Sequence, residues 1–523
     1  MQELEFEIMS YETRVLPERY AGHADENFSD ILYDWMERAP WVGISLGLHF
    51  VAYMIVASIP WSTWEKEIEK PFQSDFAQVI PPEEEPPIPP DEIIICEEII
   101  EPVIQEELTD ETTETDDPLN DLIAMGDPEF QSDAAFESFA LNSAIGIGGP
   151  PGGKIGDRGD GGERKRRVRP PTIETIKRGL SWLADHQAPD GHWDTDEYFL
   201  NNVKGGTDCT EGAGIASQDV GITALALLAF LGDGSTTKRG PYRKVVQRGI
   251  KWLGEQQDPD TGLIGEQIGH AFVYDHAIAS LAMAENYYDS GNPFQKMQAQ
   301  KAMNFIGRAR HPYGGWRYEV PSDGESDTSI TGWMVFALKA GEDAGLKVDR
   351  EAYIGALQWI DSVTDTSNGR VGYTGPEPGG RSSRVIGANE EFLPEKGESM
   401  TGVGLLTRVF LGQTPTTEPM MKKHGDLMLR SLPEWDESDH SIDMYYWYYG
   451  TYAMYQLGGE HWRRWRKGME RAILPHQRTD GDYGGSWDPV GAWGYQGGRV
   501  YSTALMVLTL EVFYRYSPLL GAR

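Results

Sequence analysis

A pair of helix-like segments recurs six times between Ile173 and the C-terminus, and this recurrence constrains the fold more than any single residue does. The clearest copies read TIKRGLSWLADHQAPDGHW (175–193) and VQRGIKWLGEQQDPDTGLIG (246–265). In both, an apolar helix face ends in a Trp and a Gln, and an Asp-containing, Gly-containing turn follows. Amphipathic helices are expected around Trp182, Trp252, Phe305, Trp359, Leu427 and Ala472. Between them fall VGITALALLAF (220–230), HAIASLAMA (276–284), TSITGWMVFAL (328–338), MTGVGLLTRVF (400–410), MYYWYYGTYAMYQL (444–457) and VYSTALMVLTLEVF (500–513). These six are apolar nearly all round, as buried helices are. Alternation of amphipathic and wholly apolar helices with almost no strand signal predicts two concentric rings. The expected fold is all-α, an α6/α6 toroid.

The Gln…Asp-Gly-x-Trp pattern, best preserved at Gln187, Asp190, Gly191 and Trp193 and at Gln477, Asp480, Gly481 and Trp487, resembles the motif of the prenyltransferase and squalene-cyclase repeat superfamily. The second copy has Leu263 and Ile264 in place of the last Trp, and the third keeps only GGW (314–316). These letters read as joints between repeats: Gly for a left-handed turn, Gln to satisfy helix-end backbone groups, Trp to pack over the preceding turn. The resemblance implies a terpenoid cyclase-like toroid. It implies a reaction far less, because one fold hosts many chemistries.

The remaining chain is charged and uneven. Net charge is −36, which argues against nucleic acid, whose binding rests on Lys and Arg neutralising phosphate. Residues 71–153 contain no Lys or Arg but many acids. Cys96 and Cys209 are too few for a disulfide framework. Residues 40–61, PWVGISLGLHFVAYMIVASIPW, are long enough to cross a hydrocarbon core of ~30 Å as a helix. Trp41 and Trp61 stand at the edges, with Trp35 and Trp64 just outside, as interfacial aromatics do. The expected organisation is an N-terminal cytoplasmic segment (1–39), a transmembrane helix (40–61), a disordered acidic Pro/Glu-rich then Gly-rich linker with a basic patch (62–170), and the toroid (171–523). The patch, ERKRRVRPP (163–171), is expected to contact the acidic tail or anionic lipid head groups.

Ser45 and His49 share one face of the span at i, i+4 spacing, and polar groups at that depth usually meet protein partners or proton paths. SLGLHFVAYMIVAS resembles the membrane helix of TonB-type energy transducers, which carry Ser-x-x-x-His, and PPEEEPPIPPDE (81–92) continues the TonB-like order. The resemblance implies that Ser45 and His49 dock on a proton-channel membrane partner. It also implies a bacterial inner-membrane protein, single-pass, with its toroid in the periplasm. Charged residues around the span leave its orientation open.

Acids stand near five inner-helix starts, Asp219, Asp275, Asp327, Glu398 and Asp443, with Arg499 at the sixth. Such acids cap helix amides. They could also form a rim that receives a cation, a sugar or a basic peptide. Tyr274, Trp333, Tyr445 and Trp447 supply aromatic faces that pack a core or stabilise a cation. The candidate ligand-binding set is therefore Asp219, Tyr274, Asp275, Asp327, Trp333, Asp443, Tyr445 and Trp447. Asp208 and Asp327 are the candidates for a catalytic acid. Squalene–hopene cyclases carry Asp-x-Asp-Asp-Thr-Ala at an inner-helix start. The equivalent stretch here is Asp327-Thr328-Ser329-Ile330-Thr331, without the paired acids. DCTEG (208–212) resembles the Asp-Cys-Thr-Ala-Glu of oxidosqualene cyclases but precedes the first inner helix. Cys209 has no His at ligand spacing, so neither metal nor cofactor is expected. The leading expectation is a membrane-anchored binding toroid coupled to a proton-driven channel. The alternatives are a terpenoid cyclase or prenyltransferase acting on a polyprenyl lipid, and a carbohydrate-active toroid using Asp327 and Asp443.

Overall fold

The structure, a computed structural model, describes residues 49–50, 54, 165, 168–204, 209–376 and 397–515. The chain divides into two compact units, Met1–Thr109 and Asp110–Arg523. Of the first, only His49, Phe50 and Met54 are described, each helical. Ser45, the rest of the 40–61 segment and the linker lie outside the described residues, among which no helix is long and apolar enough to cross a membrane.

The second unit alternates outer and inner helices. The outer ones are α1 (Pro170–Asp185), α3 (Arg243–Glu255), α5 (Pro293–Ala309), α7 (Glu351–Ser362), α9 (Met420–Met428) and α11 (Gly459–Ile473). The inner ones are α2 (Asp219–Gly232), α4 (Ala271–Ser290), α6 (Thr328–Asp343), α8 (Ser399–Phe410), α10 (Met444–Leu457) and α12 (Gly494–Leu510), followed by a short α13 (Val512–Arg515). A two-stranded hairpin, β1 (Thr364–Asp365) with β2 (Arg370–Val371), follows α7.

Burial explains the two rings. Outer helices bury one stripe, as α1 does with Ile176, Gly179, Leu180 and Leu183 and α3 with Val246, Gly249, Ile250 and Leu253. Inner helices bury nearly every residue, from Gly221 to Gly232 in α2 and from Met444 to Met454 in α10. Each inner helix packs on the next, and α12 packs back on α2, so the inner ring closes. The first outer helix, α1, packs mainly on the last inner one, α12, which places the chain's two ends of the repeat at one seam.

The motif letters make the joints, as the sequence suggests. Gln187 Nε2 donates to Gly191 O (2.8 Å) and to Val245 O of the next outer helix (3.0 Å). Gln257 repeats this with Gly262 O and Gln298 O, and Gln477 with Gly485 O and, across the seam, Thr175 O. Trp193, Trp316 and Trp487 each donate Nε1–H to a terminal carbonyl of the preceding outer helix, those of Leu183, Ile306 and Ile473. Their backbone amides donate to Thr223, Thr331 and Thr503 of the inner helices. Turn glycines permit the close approach. Gly191 has φ 117°, and an added Cβ would stand 2.4 Å from Arg248 O.

One end of the ring is sealed by buried charge. Arg515 Nη2 meets Glu285 Oε1 at 2.7 Å, and Nη1 reaches Glu511 Oε2 at 3.4 Å and Leu228 O at 2.5 Å. Beside them Lys165 Nζ pairs with Asp233 Oδ1 at 2.6 Å, and the Tyr514 hydroxyl donates to the same oxygen. Of the basic patch, Lys165 is thereby engaged within the toroid, while Arg164, Arg166 and Arg167 lie outside the described residues. Lys165 and Val168 are buried against the toroid, because Asp233 at the end of α2 offers a carboxylate that burial would otherwise leave uncompensated.

Candidate functional site

At the opposite end, the first turns of five inner helices surround a cavity of about 500 Å³, within the range of roughly 300–1,000 Å³ usual for small-molecule sites. Gly221 and Leu225 of α2, Tyr274 and Asp275 of α4, Ser329 and Trp333 of α6, Tyr445 of α10, and Tyr501 of α12 all line it, so these inner-helix N-terminal halves converge as expected. Loop residues complete the wall, notably Tyr318 and Trp493.

The aromatic lining is packed ring against ring. Trp333 stacks with Tyr448 (6.0 Å, 15°) and meets Tyr449 edge-on (5.3 Å), and Tyr449 in turn packs on Tyr445 (5.0 Å). The His270 ring stacks on Tyr318 at 4.3 Å and 6°. Hydroxyls of Tyr318 and Tyr373 share a short hydrogen bond. Ser329 Oγ and the Tyr445 hydroxyl are hydrogen-bonded at 2.8 Å.

Four of the eight sequence-derived ligand residues, Tyr274, Asp275, Trp333 and Tyr445, come together on this wall. The other four do not line it. Asp327 and Asp443 are fully buried N-caps, accepting the Ile330 amide (2.9 Å) and the Tyr446 amide (3.0 Å). The dipole ends of α6 and α10 use these carboxylates, as capping predicts. Burial pushes the Asp327 carboxyl up to about 7, opposed by the Ile330 amide and Arg317. Asp219 accepts the Thr195 amide at 2.9 Å, and its carboxylate lies with those of Asp194 and Asp196, all within 4.8 Å of one another. Trp447 points its ring to Trp435, 6.0 Å away.

Asp275 corrects the picture of a uniform acidic rim. Helix α4 begins at Ala271, not near His276, so Asp275 lies in its second turn and cannot cap it. Instead Oδ1 accepts the Gly221 amide of α2 at 3.1 Å. Gly221 is needed for this approach, since an added Cβ would stand 2.3 Å from that oxygen. Burial raises the Asp275 carboxyl to about 8; the Gly221 hydrogen bond opposes this and the Asp219 charge adds to it.

The remaining candidates are structural or undescribed. Asp208 lies outside the described residues. The neighbouring Cys209 is buried against the Tyr198 hydroxyl (3.6 Å), and burial raises its thiol. Arg499 at the sixth start bonds Asp488 (2.6 Å), Ser486 and the Glu211 carbonyl, just after the break of α12 at Gly498 (φ 65°). Glu398 is held by Arg370 at 2.8 Å. Among the described residues, no Asp–Cys–His set gathers. Sequence reasoning missed Tyr318 and Trp493, which come from loops without periodicity, and Tyr501, whose helix reads as plain core.

Residues 172–370 match the family model of the squalene-hopene cyclase C-terminal domain. The repeat region is thus a squalene-cyclase-like toroid. Three solved structures are similar at low identity. The α-1,6-mannanase GH76A of Salegentibacter sp. HEL1_6 has 12% identity and a TM-score of 0.43, covering 65% of this chain and 98% of its own. The type II terpene cyclase MstE from Scytonema has 12% identity and a TM-score of 0.43, covering 65% and 97%. The Lin0763 protein from Listeria innocua has 12% identity and a TM-score of 0.41, covering 65% and 96%. Comparison with curated proteins finds no match.

Proposed function

We propose that this squalene-cyclase-like toroid is a binding module that receives a small ligand in its aromatic cavity and does not cyclise a polyprenyl chain. The observation that carries the reading is the Ser329–Tyr445 hydroxyl pair at 2.8 Å. It stands on the cavity wall where the resemblance places a protonating acid. Initiating cyclisation by protonating an alkene needs a carboxyl stronger than an ordinary one. Burial makes Asp275 and Asp327 weaker acids, at about 8 and about 7. Asp327 is moreover engaged as a helix cap behind the wall. Aromatic faces and a few convergent polar groups are the usual dress of a binding site.

In the same reading, residues 40–61 anchor the chain in a bacterial inner membrane, the acidic linker holds the toroid on the periplasmic side, and Ser45 and His49 contact a proton-channel partner. The support for this is the sequence pattern: a Trp-bounded apolar run of spanning length, the Ser-x-x-x-His spacing and the Pro/Glu-rich extension.

The experiment is incubation of the purified full chain with squalene and with geranylgeranyl-bearing lipids, followed by mass-resolved chromatography. Substrate should be recovered unchanged. A cyclised product that disappears in Asp327→Asn or Asp275→Asn would replace the binding reading with a cyclase.

A further inference from the structure

Among the described residues that line the cavity, Asp275 is the one Asp or Glu, and none is Lys or Arg. The Gly221 amide is the hydrogen-bond donor that the structure gives it among the described residues, and no ion pair reaches it there. It is 5% exposed, so what exposure it has is to the cavity. A carboxylate taken out of water without a counter-charge is costly. The surrounding wall is aromatic, with Tyr274, Tyr318, Trp333, Tyr445 and Tyr501 around it. Ring faces attract cations, most of all weakly hydrated organic ones.

We propose that the cavity binds an organic ammonium ion carrying an apolar body, with its charge seated at Asp275 and its alkyl groups against Trp333, Tyr445 and the neighbouring tyrosines. This rests on the binding reading above and names the ligand class for the same site. Competing classes fit less well. Converging helix N-termini attract anions, but Asp327 and Asp443 already occupy two of those ends as caps. A hard metal cation wants six or so oxygen ligands, carboxylates foremost, whereas the described wall offers one carboxylate beside the neutral oxygens of Gln218, Gln496, Ser329 and the tyrosines. A neutral lipid would leave the carboxyl without a use beyond its bond to Gly221.

The charge state of Asp275 gives the proposal a pH signature. An ammonium ligand favours the ionised carboxyl, so below its titration near pH 8 binding must release a proton. Affinity then falls about tenfold for each pH unit below that point. The other titratable groups nearby are Asp219 at the start of α2, His270 just before α4, and the tyrosines.

The test compares choline with its uncharged carbon isostere, 3,3-dimethylbutan-1-ol, by ligand-observed NMR titration of the full chain. Choline should bind at least about tenfold more tightly than the isostere at about pH 9, and lose about a hundredfold at about pH 6. Asp275→Asn, which keeps an acceptor for the Gly221 amide, should remove both the preference and the pH dependence. Trp333→Leu should weaken choline while leaving the pH dependence in place. Equal or tighter binding of the isostere overturns the cation assignment while leaving a binding cavity. Choline affinity that does not change with pH, or no binding of either probe, also overturns it. Conversion of a polyprenyl lipid would instead remove the reading on which the assignment rests.

Discussion

Arg515→Leu is expected to lower the unfolding free energy of the toroid by about 3–5 kcal/mol. The Arg515 side chain is 1% exposed, and its guanidinium is held between Glu285 on α4 and Glu511 after α12. It also donates to the Leu228 carbonyl near the end of α2. Three inner-ring segments thus share one cation. Burial holds the Glu511 carboxyl well above its ordinary range even with Arg515 present, so removing the guanidinium leaves two carboxyl groups in a dry site. Lys165 is engaged with Asp233 and cannot replace it. The measurement is urea unfolding of the two proteins. Replacing Glu285 and Glu511 by Leu as well should recover much of the loss, because a buried ion network and a packed apolar one are often near equal in stability. A loss below about 1 kcal/mol for Arg515→Leu would place it with surface ion pairs and contradict this account.

Trp487→Ala should cost a similar amount, about 3–5 kcal/mol, and should act at one place in the ring. Trp487 is fully buried. Its Nε1 donates to Ile473 O at 2.9 Å, and its amide donates to Thr503 Oγ1. Its ring passes so close to Gly179 that an added Cβ there would stand 3.3 Å from it. Gly179 belongs to α1 and Thr503 to α12, so Trp487 fills the seam at which the first outer helix meets the last inner one. Cutting it back opens a cavity and loosens α1 before the rest. Proteolysis should therefore find α1 first in this variant. Trp487→Phe, which keeps most of the volume, should lose only about 1–3 kcal/mol from the unmade bond to Ile473. Uniform loosening of all six outer helices would contradict a seam-specific role.

The double ring is legible in the sequence because its two helix types differ in burial, and burial leaves a period. All six outer and all six inner segments lie where the apolar pattern places them. The Gln and Trp letters are legible as joints for a similar reason: they recur in order, and what recurs in every repeat serves what every repeat needs. Helix starts are harder. Asp275 follows Tyr274 and precedes a run of small residues, so it resembles an N-cap. The real start at Ala271 has no side-chain cap and follows Gly269 at φ 58°. That five-residue difference turns Asp275 from a helix terminator into a cavity group. Tertiary pairing is harder still. Lys165 meets Asp233 across 68 positions, and Tyr318 reaches the cavity from a loop fixed by the Trp316–Asp327 bridge. No local pattern carries either.

The ring itself hosts many chemistries, so the account stands on Asp275 rather than on the fold. Its carboxyl can be followed by infrared difference spectroscopy of the full chain against Asp275→Asn, titrated with and without choline. The expected result is a protonated-carboxyl band, absent from the variant, that titrates near pH 8 and shifts to lower pH as choline is added. A carboxyl that titrates near its ordinary value of 3.8 and ignores choline would contradict the account.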